Sequence, residues 1–241
     1  MKGNCVTRTP DRTDVQHEWP QAILFDLDGT LIDSALDITA AVNELLSADG
    51  RPAQTVDAVR GMIGNGVRKL VERAYEASGR PVEGKGLDQA YERMMGIYGK
   101  HLTRHTVLLP DAMEMVMAYR EAGVKVGVVT NKPEGFTREI LAHFMLDQLV
   151  AVVVGGDTGP ARKPAPDMLE HALHTVGVTA AGALMVGDSP ADIGAAKAAR
   201  MASVAVRGGY TTVPADDLGA DRVISNLMEL PAAIEALREP V

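Results

Sequence analysis

The chain is short of cysteine, of positive charge and of long apolar runs, and each shortage removes a class of protein. Cys5 is the one cysteine among 241 residues, so no internal disulfide can form and a reducing compartment is the expectation. Lysine and arginine total 24 against 32 aspartates and glutamates, and the net charge of −8 argues against a nucleic-acid partner. No apolar run approaches the roughly 20 residues of a membrane-spanning helix. Residues 1–19 contain nothing that could serve as the core of a signal peptide. A flexible tail over 1–19, a cytoplasmic location and no membrane partner are therefore expected. Monomer and homodimer both stay open.

What is present suits a globular domain, with 46% hydrophobic and 23% charged residues. Short apolar runs recur at AILF (22–25), VKVGVV (124–129), AVVV (151–154), ALMV (183–186), ASVAV (202–206) and, more weakly, RVI (222–224). Runs that are apolar throughout suit strands buried on both faces of a parallel sheet. Helical patterns at 111–122, 133–143, 165–176 and 189–200 separate them at βαβ spacing. The reading is an α/β fold with a doubly wound, Rossmann-like parallel-sheet core over 20–33 and 107–241. Between the halves, 34–106 carries only helical patterns (ALDITAAVNELLSADG, VRKLVERAYEASG, LDQAYERMMGIYGKHL). This insertion reads as an all-helical cap over the carboxyl ends of the strands, where open α/β sheets bind ligands.

Chemistry-bearing residues gather at those strand ends. Asp26 and Asp28 follow AILF, and residues two apart in extended chain point to the same side. Two converging carboxylates repel, which calls for a cation or a shared proton. A calcium loop does not fit, because Leu31 stands where glycine is needed and Asp37 where glutamate is needed. Thr130 and Asn131 end VGVVT, Lys163 follows AVVV, and Asp188 and Asp192 follow ALMV. Each could be a cap or a solvated side chain alone; together they lie at the one end of the sheet where such folds place their chemistry.

In this order, an apolar strand with DLDGT, a strand with Thr, KPAP and GDSPAD resemble the four motifs of haloacid dehalogenase-like phosphatases. The match runs from residue 20 to about 230, and the segments WPQAILFDLDGTLIDS, GMIGNGVRKLVERA, GGDTGPARKPAPDML and VGDSPADIGAAKAA look most like phosphoglycolate phosphatases. The resemblance implies Asp26 as a nucleophile that forms an aspartyl-phosphate. Asp28 would act as general acid and base, starting protonated because a like charge and a roofed site favour the neutral form. Mg²⁺ would sit on Asp26, the carbonyl of Asp28 and Asp188, with Asp192 orienting the site from behind. Thr130, the Asn131 amide and Lys163 would hold the phosphoryl group.

For the cap, the GNG turn (Gly64, Asn65, Gly66) before an apparent helix start offers backbone amides to an anion, and Arg68 a cation for a substrate carboxylate. The His101/His105 and His171/His174 pairs read as surface or packing residues rather than metal ligands. The expected substrate is a small phosphorylated acid such as 2-phosphoglycolate. The alternatives are a sugar-phosphate mutase with the same core residues, or a phosphatase of other small phosphoesters or pyrophosphate. A dehalogenase would not need Asp28, and a binding protein without activity would not need the whole set.

Overall fold

The computed structural model describes residues 19–238; Cys5 and all but the last residue of the tail expected over 1–19 lie outside the described residues. The chain enters through strand β1 (Ala22–Phe25) and a two-residue strand β2 (Ile32–Asp33). Four helices follow, α1 (Ala35–Ala48), α2 (Val56–Arg60), α3 (Val67–Ala77) and α4 (Gly84–Tyr98). The chain returns through β3 (Val107–Leu108) and then alternates: α5 (Ala112–Glu121), β4 (Lys125–Val129), α6 (Glu134–His143), β5 (Val152–Val154) and α7 (Asp167–Val176). It closes with β6 (Ala183–Gly187), α8 (Pro190–Ala198), β7 (Ala202–Val206), β8 (Arg222–Ile224) and α9 (Leu230–Arg238).

Six strands form one parallel sheet in the order β5-β4-β1-β6-β7-β8. β1 is central, with Phe25 level with Val128 of β4 on one side and Val186 of β6 on the other. The chain first builds outward on the β4 side, then crosses back over β1 to build outward on the β6 side. Such a switch leaves a crevice at the carboxyl end of β1. Along β1 the side chains alternate between two cores: Ile23 and Phe25 join one apolar cluster, Ala22 and Leu24 the other. Both faces are covered, which explains why the strands read as unbroken apolar runs. Each fully buried side chain of this kind contributes roughly 1.5–3 kcal/mol of transfer free energy.

The helical insertion is tied to the core at its two crossings. β2 and β3 pair antiparallel, Ile32 with Leu108 and Asp33 with Val107. Asp37, fully buried in the first turn of α1, accepts the amides of His105 and Thr106 and the Thr106 hydroxyl. A buried carboxylate held by three donor groups pins the outgoing and returning chain together. The inner faces of α1, α3 and α4 (Leu45, Leu70, Met94 among them) join the same apolar cluster as Phe25 and Val186. Among the described residues no helix is long and apolar enough to cross a membrane. Trp19, the last residue of the segment read as a tail, donates its indole N–H to Ala181 O at 3.1 Å.

Candidate active site

The turn after β1 is built around Asp26. Its amide donates to Val186 O at 2.9 Å, continuing the strand by one bond, and the chain then doubles back so that Leu31 and Ile32 donate to Leu27 O. Gly29 makes the turn with φ of +87°, and a Cβ there would lie 2.6 Å from Asp188 Oδ2. Only glycine meets both demands. Thr30 Oγ1 donates to Asp188 Oδ1 at 3.0 Å, and the Tyr210 amide donates to Asp188 Oδ2 at 2.7 Å.

Lys163 bridges Asp26 and Asp192. Its Nζ donates to Asp192 Oδ1 at 2.5 Å and to Val129 O at 2.6 Å, and stands 3.0 Å from Asp26 Oδ1. This last approach is an ion pair without hydrogen-bond alignment, so Asp26 Oδ1 is a buried carboxylate oxygen with no hydrogen-bond partner. Asp192 is otherwise saturated, its Oδ2 accepting the amide and hydroxyl of Ser189 at 3.0 and 2.6 Å.

Burial, then Asp192, push the Asp26 carboxyl up to about 6 despite the Lys163 charge. Asp188 is raised for the same reasons, burial first and then Asp192 and Asp26, against the donations from Tyr210 and Thr30. For Lys163 burial favours the neutral form, but Asp192 and Asp26 outweigh it and hold the ammonium at about 12. Fully ionised, the three carboxylates would exceed the one ammonium by two negative charges at a buried site. Oxygens of Asp26, Asp188 and Asp192 lie within 4.8 Å of one another. Hard oxygen donors, a surplus of two charges and an orphaned oxygen fit a divalent cation such as Mg²⁺, with Asp26 and Asp188 as the carboxylates freest to bind it.

Above the carboxylates lies a cavity of about 40 Å³. Its floor is Asp26, Asp28, Thr130, Asn131 and Lys132; its roof is Ile38, Ile63, Gly64, Gly66, Val67, Leu70 and Tyr98 from the helical insertion. Asn131 joins the two, its side-chain amide donating to Gly64 O at 2.9 Å and to Lys163 O at 3.0 Å.

The family model described as haloacid dehalogenase-like hydrolase matches residues 23–206. This chain belongs to that family. Among its relatives, a phosphoglycolate phosphatase of Caulobacter vibrioides is 35% identical over 88% of this chain and 89% of its own length. One from Rhodospirillum rubrum is 38% identical over 88% and 89%. A crystal structure described as a predicted phosphoglycolate phosphatase from Haemophilus somnus superimposes with a TM-score of 0.83 at 29% identity, covering 88% of this chain and 96% of that one.

Within this haloacid dehalogenase-like hydrolase, the residues singled out at the strand ends, Asp26, Asp28, Thr130, Asn131, Lys163, Asp188 and Asp192, come together as the spacing suggested. The cap residues divide. Gly64 and Gly66 line the cavity; Asn65 turns outward and accepts from Arg73 at 2.8 Å. Arg68 is not brought to the site. It pairs with Asp88 at 2.6 Å on the exposed side of α3, with both side chains about half open (45% and 60%). Val67, Leu70, Val71 and Ala74 form the inward stripe of α3, and one residue of helix turns a side chain by 100°, which carries Arg68 away from it.

The surroundings of Asp28 also differ from the expectation of a carboxyl kept protonated by a like charge and a roofed site. Lys132 Nζ spans both of its oxygens at 2.7 and 2.8 Å, and Ser34 Oγ donates to Oδ1 at 2.5 Å. The sequence reading passed over Lys132, although its place two residues after Thr130 was the available signal. It also passed over Tyr210, whose hydroxyl accepts the amides of Ser34 and Ala35 and donates to Asp33 at 2.6 Å. Asp33 in turn holds Arg60 of α2 at 2.9 Å. No motif marks Tyr210; its partners lie more than 170 residues away.

Proposed function

We propose that this hydrolase is a cytoplasmic, Mg²⁺-dependent phosphomonoesterase that cleaves 2-phosphoglycolate or a similar small phosphorylated acid through an aspartyl-phosphate. The observation that carries the reading is Asp26 Oδ1, a buried carboxylate oxygen without a hydrogen-bond partner at the base of the cavity. The names of the relatives support the substrate class. Mg²⁺ on Asp26, Asp188 and the Asp28 carbonyl would neutralise charge on the phosphoryl oxygens.

In this reading Asp26 attacks phosphorus, the bond to the leaving oxygen breaks, and that alkoxide takes the proton of Asp28. Water then attacks the phosphorus of the aspartyl-phosphate while Asp28 accepts its proton, releasing phosphate and regenerating Asp26. Ser34 and Lys132 hold the Asp28 carboxyl in place, and the entering phosphoryl dianion adds the negative charge that favours a proton there. Lys163 offsets charge on the nucleophile and the phosphoryl group. Thr130 and the Asn131 amide orient a phosphoryl oxygen. Asp192 positions Lys163 from behind.

The insertion over 34–106 acts as the cap. A cavity of about 40 Å³ holds a few waters at most, so the cap must open to admit the substrate and close to exclude solvent. The test is phosphate release with Mg²⁺ from a panel holding 2-phosphoglycolate, p-nitrophenyl phosphate, a hexose phosphate and a nucleotide. The highest kcat/KM belongs to 2-phosphoglycolate. Equal values for the nucleotide or p-nitrophenyl phosphate would remove the substrate assignment, and isomer without phosphate would make the enzyme a mutase.

A further inference from the structure

We infer that Tyr98 and Lys132 form the subsite that recognises the second anionic group of the substrate, a carboxylate carried close to the phosphoryl group. The inference rests on the phosphomonoesterase reading and adds to it the residues that select the acid. On the floor of the cavity, Asp26, Thr130 and Asn131 serve the phosphoryl group, and the proton of Asp28 is committed to the leaving oxygen. The roof side chains Ile38, Ile63, Val67 and Leu70 offer no donor. A carboxylate pressed against that wall would lose its hydration without compensation. Two side-chain donors remain, and they are neighbours: Lys132 Nζ stands 5.0 Å from the centre of the Tyr98 ring.

Tyr98 ends α4 and is almost completely buried, yet its hydroxyl has no hydrogen-bond partner. Buried hydroxyls in native proteins are nearly always paired, and one that lines a substrate cavity awaits a partner from the ligand. The ring is fixed edge-on against Phe136, with centroids 5.3 Å apart and planes at 81°, so the hydroxyl is held where it stands. Burial, helped by Asp28 and Asp37, raises the phenol well above its usual range, and the nearby Ser34 hydroxyl, which is directed at Asp28, offsets only part of this. The group therefore keeps its proton and acts as a donor.

Lys132 contributes the charge. Its ammonium is buried; of its three protons the two oxygens of Asp28 engage two, and Nζ also stands over the face of the Tyr98 ring, so the third is given to a carboxylate in exchange for that weaker contact. One N–H and one phenolic O–H, both desolvated, suit a carboxylate better than a neutral hydroxyl, because hydrogen bonds to a charged acceptor are the stronger kind. The place of Lys132 sets the length: it lies directly on Asp28, the proton donor to the leaving oxygen, so the carboxylate must sit within a bond or two of the ester oxygen, as in 2-phosphoglycolate.

The experiment compares 2-phosphoglycolate with ethyl phosphate, which replaces the carboxylate by a methyl group, and with 2-hydroxyethyl phosphate. In the wild type, kcat/KM for 2-phosphoglycolate exceeds that for both. Tyr98→Phe keeps the packing against Phe136 and removes the donor. It lowers the ratio of 2-phosphoglycolate to ethyl phosphate by about tenfold, mainly through KM. Lys132→Gln, the second variant should the first not fold, lowers the same ratio. An unchanged ratio in a folded variant, beside a clear wild-type preference, overturns the subsite and leaves the phosphatase reading standing. A wild type that prefers 2-hydroxyethyl phosphate overturns the choice of carboxylate. A wild type with no preference removes the substrate assignment and the subsite with it.

Discussion

At the strand ends Asp26, Asp188, Asp192, Lys163 and Lys132 are almost wholly buried, whereas the helical insertion, apart from Asp37 at its entry, keeps its charges at the surface, as in Arg68–Asp88 and Lys69–Glu72. The same residue types thus obey different physics within one chain. A solvated pair contributes about 0–1 kcal/mol and can be lost without consequence. A buried charge loses its hydration, and a fold retains it only where partners or a cation compensate. In the core the compensation is specific: Lys163 sits between two carboxylates, Lys132 on Asp28, and Thr30 with Tyr210 on Asp188. The insertion shapes the site instead through apolar side chains and one unpartnered phenol.

The sharpest way to break this contrast is at Asp26, the nucleophile of the proposed reaction. Asp26→Asn keeps the shape and removes the charge, so turnover falls by more than ~10³-fold while the circular dichroism spectrum is retained. Activity within tenfold of wild type in that variant would place the nucleophile elsewhere. Lys163→Met comes next. It leaves Asp26 and Asp192 facing each other without their ammonium, and urea titration of the metal-free protein should show a loss of about 3–5 kcal/mol. A loss below about 1 kcal/mol would mean that this buried network behaves like a surface pair.

Metal binding tests the surplus of negative charge. Mg²⁺ raises Tm of the wild type in a concentration-dependent way, by the equivalent of about 2.7 kcal/mol at a hundred times Kd. Asp188→Asn should abolish that dependence, and its persistence would remove Asp188 from the metal site.

The smallest effects belong to the insertion. Hydrogen bonds from Arg93, then from Tyr75, hold the Asp49 carboxyl at about 2, below its ordinary value. Because the folded value is the lower one, the stabilisation is present above about pH 4 and disappears as pH falls through 2. Asp49→Asn therefore lowers stability at pH 7, by no more than about 1 kcal/mol for so exposed a pair, and the effect is partly lost at pH 2 and gone only below it. Arg68→Ala should change stability by less than about 0.5 kcal/mol and leave KM for 2-phosphoglycolate unmoved. A rise in KM would return Arg68 to the site.

The strands of the sheet were legible as unbroken apolar runs because both faces of the sheet are covered, as Ile23/Phe25 and Ala22/Leu24 show by joining opposite clusters. The catalytic candidates were legible because a parallel sheet with βαβ connections delivers the residue after every strand to the same end. The three long helices of the insertion were legible as helices, the five-residue α2 was too short to show a period, and the rotation of none of them could be read. In α3 the sequence shows an amphipathic pattern, yet which neighbour of the apolar stripe touches the cavity depends on how the helix docks, and Arg68 lies on the far side.

The sequence by itself determined the α/β order, the end of the sheet that carries the chemistry and the set of carboxylates there, because periodicity and strand direction are local properties. Only the tertiary structure decided the partners: Lys132 with Asp28 across 104 residues, Tyr210 with Ser34 across 176, and Tyr98 in the roof with no hydrogen-bond partner for its hydroxyl among the described residues. Hydrogen bonds and ion pairs act over a few ångströms in space, and separation along the chain carries no information about which of them will form.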